Sequence, residues 1–233
     1  DLPQEASTGL ASYYQAYNYL KLKQYEEAEE GFKNAIVTLN SNRNNLTDDV
    51  ILNRVLPDAF IRAGDCLFKL RDYTDAKKFY DQAISRKQAG FIYALYQRAA
   101  IEGLLGDPFK KILTLEEIRD DYPKSEYYDD ALFVLGDTYQ ASGSVDKAAA
   151  SYLSLVENEG KKSQYYNNAL LRLGLLTYNQ GDINGALAYY KRVMSNEPNP
   201  KERGEAMLGI EEIYIKDLGQ ADNYLAYVDS IPG

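Results

Sequence analysis

The sequence contains no histidine, no tryptophan and a single cysteine, Cys66. Without histidine, neither a Ser-His-Asp nor a Cys-His catalytic arrangement can form, and zinc sites with histidine ligands are excluded. A single cysteine cannot form an internal disulfide, so Cys66 is expected to be a small core residue. A chain without disulfides suits both the cytoplasm and a bacterial periplasm. The glycine-rich phosphate loops G-x-G-x-x-G and G-x-x-x-x-G-K-[ST] are also missing. These absences predict a protein that is not an enzyme and that uses no cofactor.

The chain also has fewer positive than negative charges. The chain has 26 Lys and Arg against 35 Asp and Glu, which gives a net charge of −9. Nucleic-acid-binding proteins need clustered basic residues that displace counterions, whereas the basic residues here form only scattered pairs. No apolar run approaches the roughly 20 residues that span a bilayer. The acidic clusters lack the spacing and the turn glycine of a Ca²⁺ loop. We therefore expect no nucleic-acid partner, no direct membrane insertion and no metal site.

What the sequence does contain is a degenerate repeat of about 35 residues, a length typical of helical repeat arrays. An alanine recurs at Ala28, Ala76, Ala148, Ala186 and Ala221, with Lys111 in the one weak position. A small residue stands earlier in each repeat, at Ala16, Gly64, Ala99, Gly136, Gly174 and Gly209. A large apolar residue follows each alanine position, at Phe32, Tyr80, Leu115, Tyr152, Tyr190 and Leu225.

This pattern is typical of two antiparallel helices, here called helix A and helix B, that pack closely in each repeat. A small residue on helix A facing an alanine on helix B lets the two axes approach to roughly 8–10 Å. Helix B is expected to follow a polar N-cap residue, whose side-chain oxygen accepts a hydrogen bond from a free backbone N–H. The expected caps are Gln24, Asp72, Asp107, Ser144, Asp182 and Asp217.

With these residues the chain resembles the tetratricopeptide repeat (TPR) family over residues 9–233. The resemblance implies an all-α fold, a right-handed superhelical α-solenoid of about six antiparallel helix pairs. We expect a single domain, 1–233, with repeats at approximately 9–42, 57–90, 92–125, 129–162, 167–200 and 202–233. The insertion 43–56 is expected to form a loop and a short added helix, which Thr47 or Asp48 would cap and Pro57 would end.

The resemblance also implies a non-enzymatic scaffold that holds a protein or peptide partner in a concave groove lined by the A helices. Tyrosine suits such a surface, because it offers apolar area and a hydroxyl group at a low entropy cost, and the chain has 22 tyrosines. For each residue the alternative is core packing between neighbouring helices. The expected groove residues are Tyr13, Tyr17, Lys21, Ile61, Asp65, Phe68, Tyr93, Tyr96, Phe133, Asp137, Gln140, Leu171, Leu175 and Tyr178.

The expected groove chemistry restricts the partner. Some TPR domains hold a C-terminal carboxylate with a clamp of Lys and Asn, but the corresponding positions here are Tyr13, Tyr17, Ile61 and Asp65. We therefore expect a partner segment with aliphatic residues and some positive charge, and weaker binding of a free acidic C-terminus than of its amide.

The stretch 122–131 is similar to bacterial cell-envelope TPR proteins that act in outer-membrane or division-site assembly. Within it, Pro123 is expected to end one helix and Ser125 to cap the next. The resemblance favours a bacterial periplasm or cell envelope over the cytoplasm, and a role in envelope assembly. The alternative function is a structural, self-associating segment of a longer TPR array, because the last helix B would expose Tyr224, Leu225 and Val228.

Overall fold

The computed structural model describes residues 4–41 and 48–231, and within them the chain is helical with no strand. The helices of the described residues form six consecutive pairs, so the predicted all-α fold is confirmed. The A helices are α1 (Gln4–Lys21), α3 (Leu56–Lys69), α5 (Phe91–Leu104), α7 (Tyr128–Ala141), α9 (Tyr166–Asn179) and α11 (Pro200–Glu211). The B helices are α2 (Tyr25–Ser41), α4 (Tyr73–Arg86), α6 (Pro108–Asp121), α8 (Val145–Ser154), α10 (Ile183–Met194) and α12 (Ala221–Asp229).

The helices belong to two compact units, the first ending at Tyr127 and the second beginning at Tyr128. In the first unit, each helix from α1 to α6 packs against the next one along the chain. In the second unit, α7 packs on α8, α9 on α10 and α10 on α11. The assignment of the whole chain to one domain stays a prediction. No helix of residues 4–41 and 48–231 combines the length and apolar character needed to cross a bilayer.

The predicted N-caps are confirmed in three of the B helices. Asp72 accepts a hydrogen bond from the backbone N–H of Asp75, Asp107 from that of Lys110, and Asp182 from that of Gly185. Ser144 precedes α8, but its side chain makes no capping hydrogen bond.

The predicted cap at Asp217 is wrong. A π-helical turn, Glu212–Asp217, extends helix A of the sixth repeat, so that Gly219 and Gln220 stand where glycine and cap stand in the earlier repeats. Helix α12 therefore begins at Ala221, which is exposed rather than packed inside the pair. Because the wider turn contains extra residues, helix B begins later in the sequence than predicted. The assignment of Ala221 to the alanine position is therefore also wrong.

In three helix pairs the close approach depends on an aromatic ring as well as on the alanine. Ala76, Ala148 and Ala186 are completely buried, as the repeat predicts. The glycine of helix A, however, lies against the tyrosine of helix B: a Cβ atom on Gly64 would come within 2.9 Å of Tyr80 Cε1. The same pairing holds for Gly136 with Tyr152 and for Gly174 with Tyr190.

The added helix before the second repeat is not a separate element. Asp48 caps it as predicted, because its Oδ1 accepts hydrogen bonds from the backbone N–H groups of Val50 and Ile51 at 2.8 and 3.1 Å. Pro57 does not end it. A π-helical turn, Ile51–Val55, leads directly into α3, and Pro57 is the second residue of that helix. Thr47 and the loop 42–47 lie outside the described residues.

The lone cysteine behaves as the sequence predicts. Cys66 is completely buried on α3, and burial raises the pKa of its thiol to about 12. A thiol that stays protonated at neutral pH is a poor nucleophile, so Cys66 is a packing residue.

Two A helices, α1 and α3, are followed in the next turn by a basic residue in the left-handed conformation. Lys23 has φ 60° and Arg71 has φ 65°, whereas Gly106, Gly143 and Gly181 take the same position in later repeats. An L-residue is strained in this region and glycine is not. The first two repeats therefore keep a cation where the backbone favours glycine.

Candidate functional site

A cavity of about 780 Å³ lies among the helices of the first three repeats, within the first unit. Helices α1, α3 and α5 each contribute side chains to it, together with the chain segments that precede α5 and follow α6. Four predicted groove residues line this cavity: Tyr13, Tyr17, Ile61 and Tyr93. The structure therefore brings together residues that are far apart in sequence, and we call this space the larger cavity.

A hydrogen-bonded network crosses the wall of the larger cavity at Asp58. Tyr13 donates its hydroxyl to Asp58 Oδ2 at 2.8 Å, and Tyr17 donates to the same oxygen. Arg62 Nε lies 3.2 Å from Asp58 Oδ1 and also donates to the Tyr17 hydroxyl at 3.1 Å. Both oxygens of the Asp58 carboxylate are therefore occupied by donors from α1 and α3.

The network continues to Asp65, one turn further along α3. Its Oδ2 accepts from Arg62 at 2.5 Å, while its Oδ1 accepts from the hydroxyls of Tyr80 at 2.6 Å and Tyr93 at 2.9 Å. Burial and the neighbouring carboxylate raise the pKa of both phenols above their ordinary range. These tyrosines are therefore neutral donors at physiological pH, and Asp65 has no free oxygen to offer a cationic ligand.

A smaller cavity of about 360 Å³ adjoins the larger one, and Tyr93 lines both. Among its lining residues are the predicted groove residues Lys21, Asp65 and Phe68. Lys23 and Lys69 also line it, and all three lysines are exposed. Within the described residues, none of these lysines lies in an ion pair with a carboxylate. We call this space the lysine cavity.

The remaining predicted residue of the first unit, Tyr96, stacks on Tyr127 with 5.7 Å between ring centroids. Tyr127 also contacts Tyr93 and lines the larger cavity. Tyr96 thus supports the cavity wall through Tyr127.

In the second unit the predicted residues lie on α7 and α9. Phe133 stacks on Tyr165 at 4.7 Å between centroids, and Leu171 is buried. Asp137 repeats the chemistry of Asp65, because it accepts from the Tyr152 hydroxyl at 2.7 Å and lies 3.3 Å from Arg172 Nε.

The other three predicted residues of the second unit are more accessible or weakly bonded. Gln140 Oε1 lies 3.4 Å from the Tyr152 hydroxyl, and Leu175 is 40% exposed. A hydrogen bond to Asp217 raises the pKa of Tyr178. Of the predicted groove residues in the second unit, some therefore pack in the core and others lie at the surface.

Several lining residues do not follow from the repeat pattern. Arg62 falls between the groove positions, and the sequence signal for it was the pair of acids three and four residues away on the same helix, Asp65 and Asp58. Arg54 lies in the insertion, which the family pattern does not contain. Ser125 does not cap α7, since the helix begins at Tyr128 and the buried Ser125 Oγ has no hydrogen-bond partner in the described residues; instead Ser125 lines the larger cavity.

The site offers binding surface rather than reactive groups. In residues 4–41 and 48–231, no group of three or more His, Cys, Asp or Glu side chains is placed to hold a metal ion. The carboxylates Asp58 and Asp65 accept hydrogen bonds from phenols and a guanidinium that stay protonated. The arrangement can hold a partner segment by apolar contact with tyrosine rings and by charge.

Solved structures show the same fold at low sequence identity. "MamA 41-end from Desulfovibrio magneticus RS-1" has a TM-score of 0.59 at 18% identity and covers 84% of this chain and 97% of its own. A tetratricopeptide repeat protein from Parabacteroides merdae ATCC 43184 has a TM-score of 0.64 at 17% identity, covering 98% of this chain and 79% of its own. YrrB, described as a TPR protein with an unusual peptide-binding site, has a TM-score of 0.58 at 15% identity and covers 82% and 87%. No curated protein sequence matches this chain.

Family models agree with the structural likeness. Three models, each described as "Tetratricopeptide repeat", match residues 57–89, 93–125 and 133–200, which together make up more than half of the chain. Proteins of this family generally serve as non-catalytic protein-interaction modules. The repeat pattern, the six helix pairs and these matches lead to one conclusion: the chain belongs to the tetratricopeptide repeat family.

Proposed function

We propose that this protein is a non-enzymatic interaction scaffold that binds a segment of a partner protein in the groove of its first three repeats. The larger cavity and the lysine cavity together form this groove, and their shared residue Tyr93 marks the middle of it. A cavity of about 780 Å³ is large enough for one or two apolar side chains of a bound segment.

One observation carries the proposal: the apolar and phenolic side chains of three different A helices converge on one accessible cavity. Tyr13 and Tyr17 come from α1, Ile61 from α3 and Tyr93 from α5. The hydrogen bonds to Asp58 and Asp65 hold the phenols in place before any ligand arrives. A surface organised in advance loses less entropy on binding, which favours a recognition site over a gap in the packing.

A cavity-filling substitution tests the proposal without removing a packed atom. Ala89 is exposed and lines the larger cavity, so Ala89→Trp would occupy the entrance. Ala150 is also exposed but lies on α8 in the second unit, which makes Ala150→Trp the matched control. Affinity capture from a lysate of the source organism, with folding checked by circular dichroism, should lose the partner only with Ala89→Trp. Equal recovery with wild type and both variants would place the binding surface elsewhere.

A second candidate function is self-association through the last helix. Helix α12 has no buried residue, Leu225 is 59% exposed and Val228 is 37% exposed. These side chains fit a face that docks on another copy. Light scattering over a wide range of concentration distinguishes the two functions, because self-association raises the mean mass with concentration. The variant Leu225→Glu should abolish that rise, and an unchanged mass at every concentration would exclude the second candidate.

The location of the protein stays a prediction of the sequence. The stretch 122–131 supports a bacterial cell envelope and a role in envelope assembly, and in the fold this stretch supplies Ser125 and Tyr127 to the larger cavity. Fractionation of the source cells, with the protein detected by antibody, checks this part of the proposal. Recovery in the cytoplasmic fraction alone would contradict it.

A further inference from the structure

We infer, building on the proposed function, that the bound segment is acidic: an apolar side chain occupies the larger cavity, and side-chain carboxylates of the same segment contact the lysine cavity. This assigns to the groove a partner charge opposite to the one that its sequence suggests.

The first step concerns the acids of the groove. Asp58 and Asp65 suggest a preference for positive charge only while their carboxylates are free. In the fold, Arg62 lies within ion-pair distance of both, and four tyrosine hydroxyls donate to them. A cationic ligand would have to replace these internal donors, so the two acids give it little attraction.

The second step concerns the lysines. Lys21, Lys23 and Lys69 line one small cavity, and the one carboxylate among its lining residues is Asp65, which Arg62 already neutralises. Other lysines of the described chain, among them Lys77 and Lys78, lie beside a carboxylate of their own helix. A protein of net charge −9 thus keeps three unpaired cations together at the end of its groove. Their complement is a group of carboxylates.

The backbone conformation at Lys23 provides a matched comparison for a test. Lys23 is held at φ 60°, at a position that Gly106, Gly143 and Gly181 fill in later repeats. Glycine at this position would remove the strain, because it adopts a positive φ without steric cost. Its Arg71 counterpart in the second repeat has the same conformation but does not line the lysine cavity.

The third step is continuity. Tyr93 lines both cavities, so a segment that crosses its ring reaches the apolar space on one side and the lysines on the other. Three lysines from one helix, one turn and a second helix are separate point charges rather than a fork for one carboxylate. This favours several acidic side chains of an internal segment over a single C-terminal carboxylate.

The test uses the full protein and fluorescence anisotropy with synthetic peptides that are acetylated and amidated, so that only side chains carry charge. Each peptide has one leucine or phenylalanine followed by three glutamates, with the gap between them varied. Matched peptides replace the glutamates by glutamines or by lysines, and one further peptide has a glutamine run with a free C-terminus. We expect the glutamate peptides to bind at least about tenfold more tightly than the glutamine peptides.

The lysines are tested by a matched pair of variants. Lys23→Gly and Arg71→Gly remove the same charge and relieve the same backbone strain, but only Lys23 lines the lysine cavity. Lys23→Gly should weaken binding of the glutamate peptides by about threefold to tenfold, while Arg71→Gly changes it by less than about twofold. Binding of the glutamine peptides should be the same for both variants and the wild type.

The outcomes separate the inference from the proposed function. Equal binding of glutamate and glutamine peptides, with both lost in Ala89→Trp, would overturn the acidic partner and leave the groove as a binding site. The inference would be overturned in the same way if the lysine peptides, or the glutamine peptide with a free C-terminus, bound more tightly than the glutamate peptides. If no peptide with an apolar residue binds, both the inference and the proposed groove are contradicted.

Discussion

At the scale of single residues, the fold depends on glycines that touch a tyrosine ring. A Cβ atom on Gly174 would lie 2.7 Å from Tyr190 Cε1, whereas one on Gly204 would meet nothing within 4 Å. Gly174→Ala should therefore lower the free energy of unfolding by about 1–3 kcal/mol through overpacking. Gly204→Ala should raise it by about 0.5–1 kcal/mol, because alanine favours the helix. Urea unfolding followed by circular dichroism measures both, and stabilisation by both changes would show that the helix pair is looser than described.

A single carboxylate gives the fold a defined pH dependence. Asp130 accepts from the Tyr165 hydroxyl at 2.7 Å, but burial and the neighbouring Asp129 raise its pKa above the ordinary value. Because the pKa of Asp130 is higher in the folded state than in the unfolded state, its ionisation lowers the stability of the fold at any pH above the folded-state pKa. This loss of stability fades as the pH falls toward the pKa of the unfolded state, about 4.

The variant Asp130→Asn checks this pH dependence, since an amide oxygen can still accept from Tyr165. It should be more stable than wild type at neutral pH, with the difference shrinking as the pH falls toward about 4. Urea unfolding at several pH values measures the effect. A difference that grows as the pH falls would contradict the assignment.

The sequence predicts the packing residues better than the site. Ala76 and Ala148 follow from the repeat because packing repeats with it. The role of Arg62 does not, since it depends on where α1 places Tyr17 relative to α3. The surroundings of Asp65 could not be predicted for the same reason: in the sequence Asp65 looks like a free acid, and only the fold shows its three hydrogen-bond donors.

At the scale of elements, a side chain of α10 contributes to the attachment of the last helix. Lys191 of α10 donates to the Tyr214 hydroxyl at 2.8 Å and lies 5.1 and 4.9 Å from the ring centroids of Tyr214 and Tyr227. Since α12 has no buried residue, it depends on such contacts at its surface: the Lys191 ammonium over the Tyr227 ring, and the hydrogen bond between Tyr224 and Glu211. We expect α12 to exchange its amide hydrogens faster than α10.

The variant Lys191→Met tests that attachment. It should speed amide exchange in α12, measured by mass spectrometry, and leave α7 and α8 unchanged. Lys201→Met is the control, because Lys201 is 86% exposed and lies 3.8 Å from Glu205. Equal exchange of α12 in both variants would show that its other contacts suffice.

The predicted helix boundaries are wrong where the chain departs from α-helical geometry. The π-helical turns Ile51–Val55 and Glu212–Asp217 add residues without adding a turn to the pattern. The predicted end at Pro57 and the predicted cap at Asp217 fail at these two places. A π-helical turn has no residue signature comparable to a glycine followed by an aspartate, so it could not be predicted from the sequence.

At the scale of the whole molecule, net charge and local charge oppose each other. The chain carries −9, while the lysine cavity gathers three cations. The Debye screening length is about 30 Å at about 0.01 M salt but only about 8 Å at about 0.15 M. The association rate constant of a glutamate peptide should therefore rise between these two salt concentrations, as the long-range repulsion is screened. Stopped-flow anisotropy measures it, and a steep fall would mean that the lysines dominate at every distance.

The buried phenol–carboxylate contacts also give the protein an unusual optical behaviour. With 22 tyrosines and no tryptophan, its near-ultraviolet spectrum comes almost entirely from phenols. Exposed phenols ionise near pH 10, but burial and an adjacent aspartate hold Tyr13, Tyr80 and Tyr152 in the neutral form well above that. Alkaline titration of the absorbance should thus proceed in two stages, and the second should coincide with loss of helix, because these hydroxyl groups become phenolates only after they leave their carboxylates.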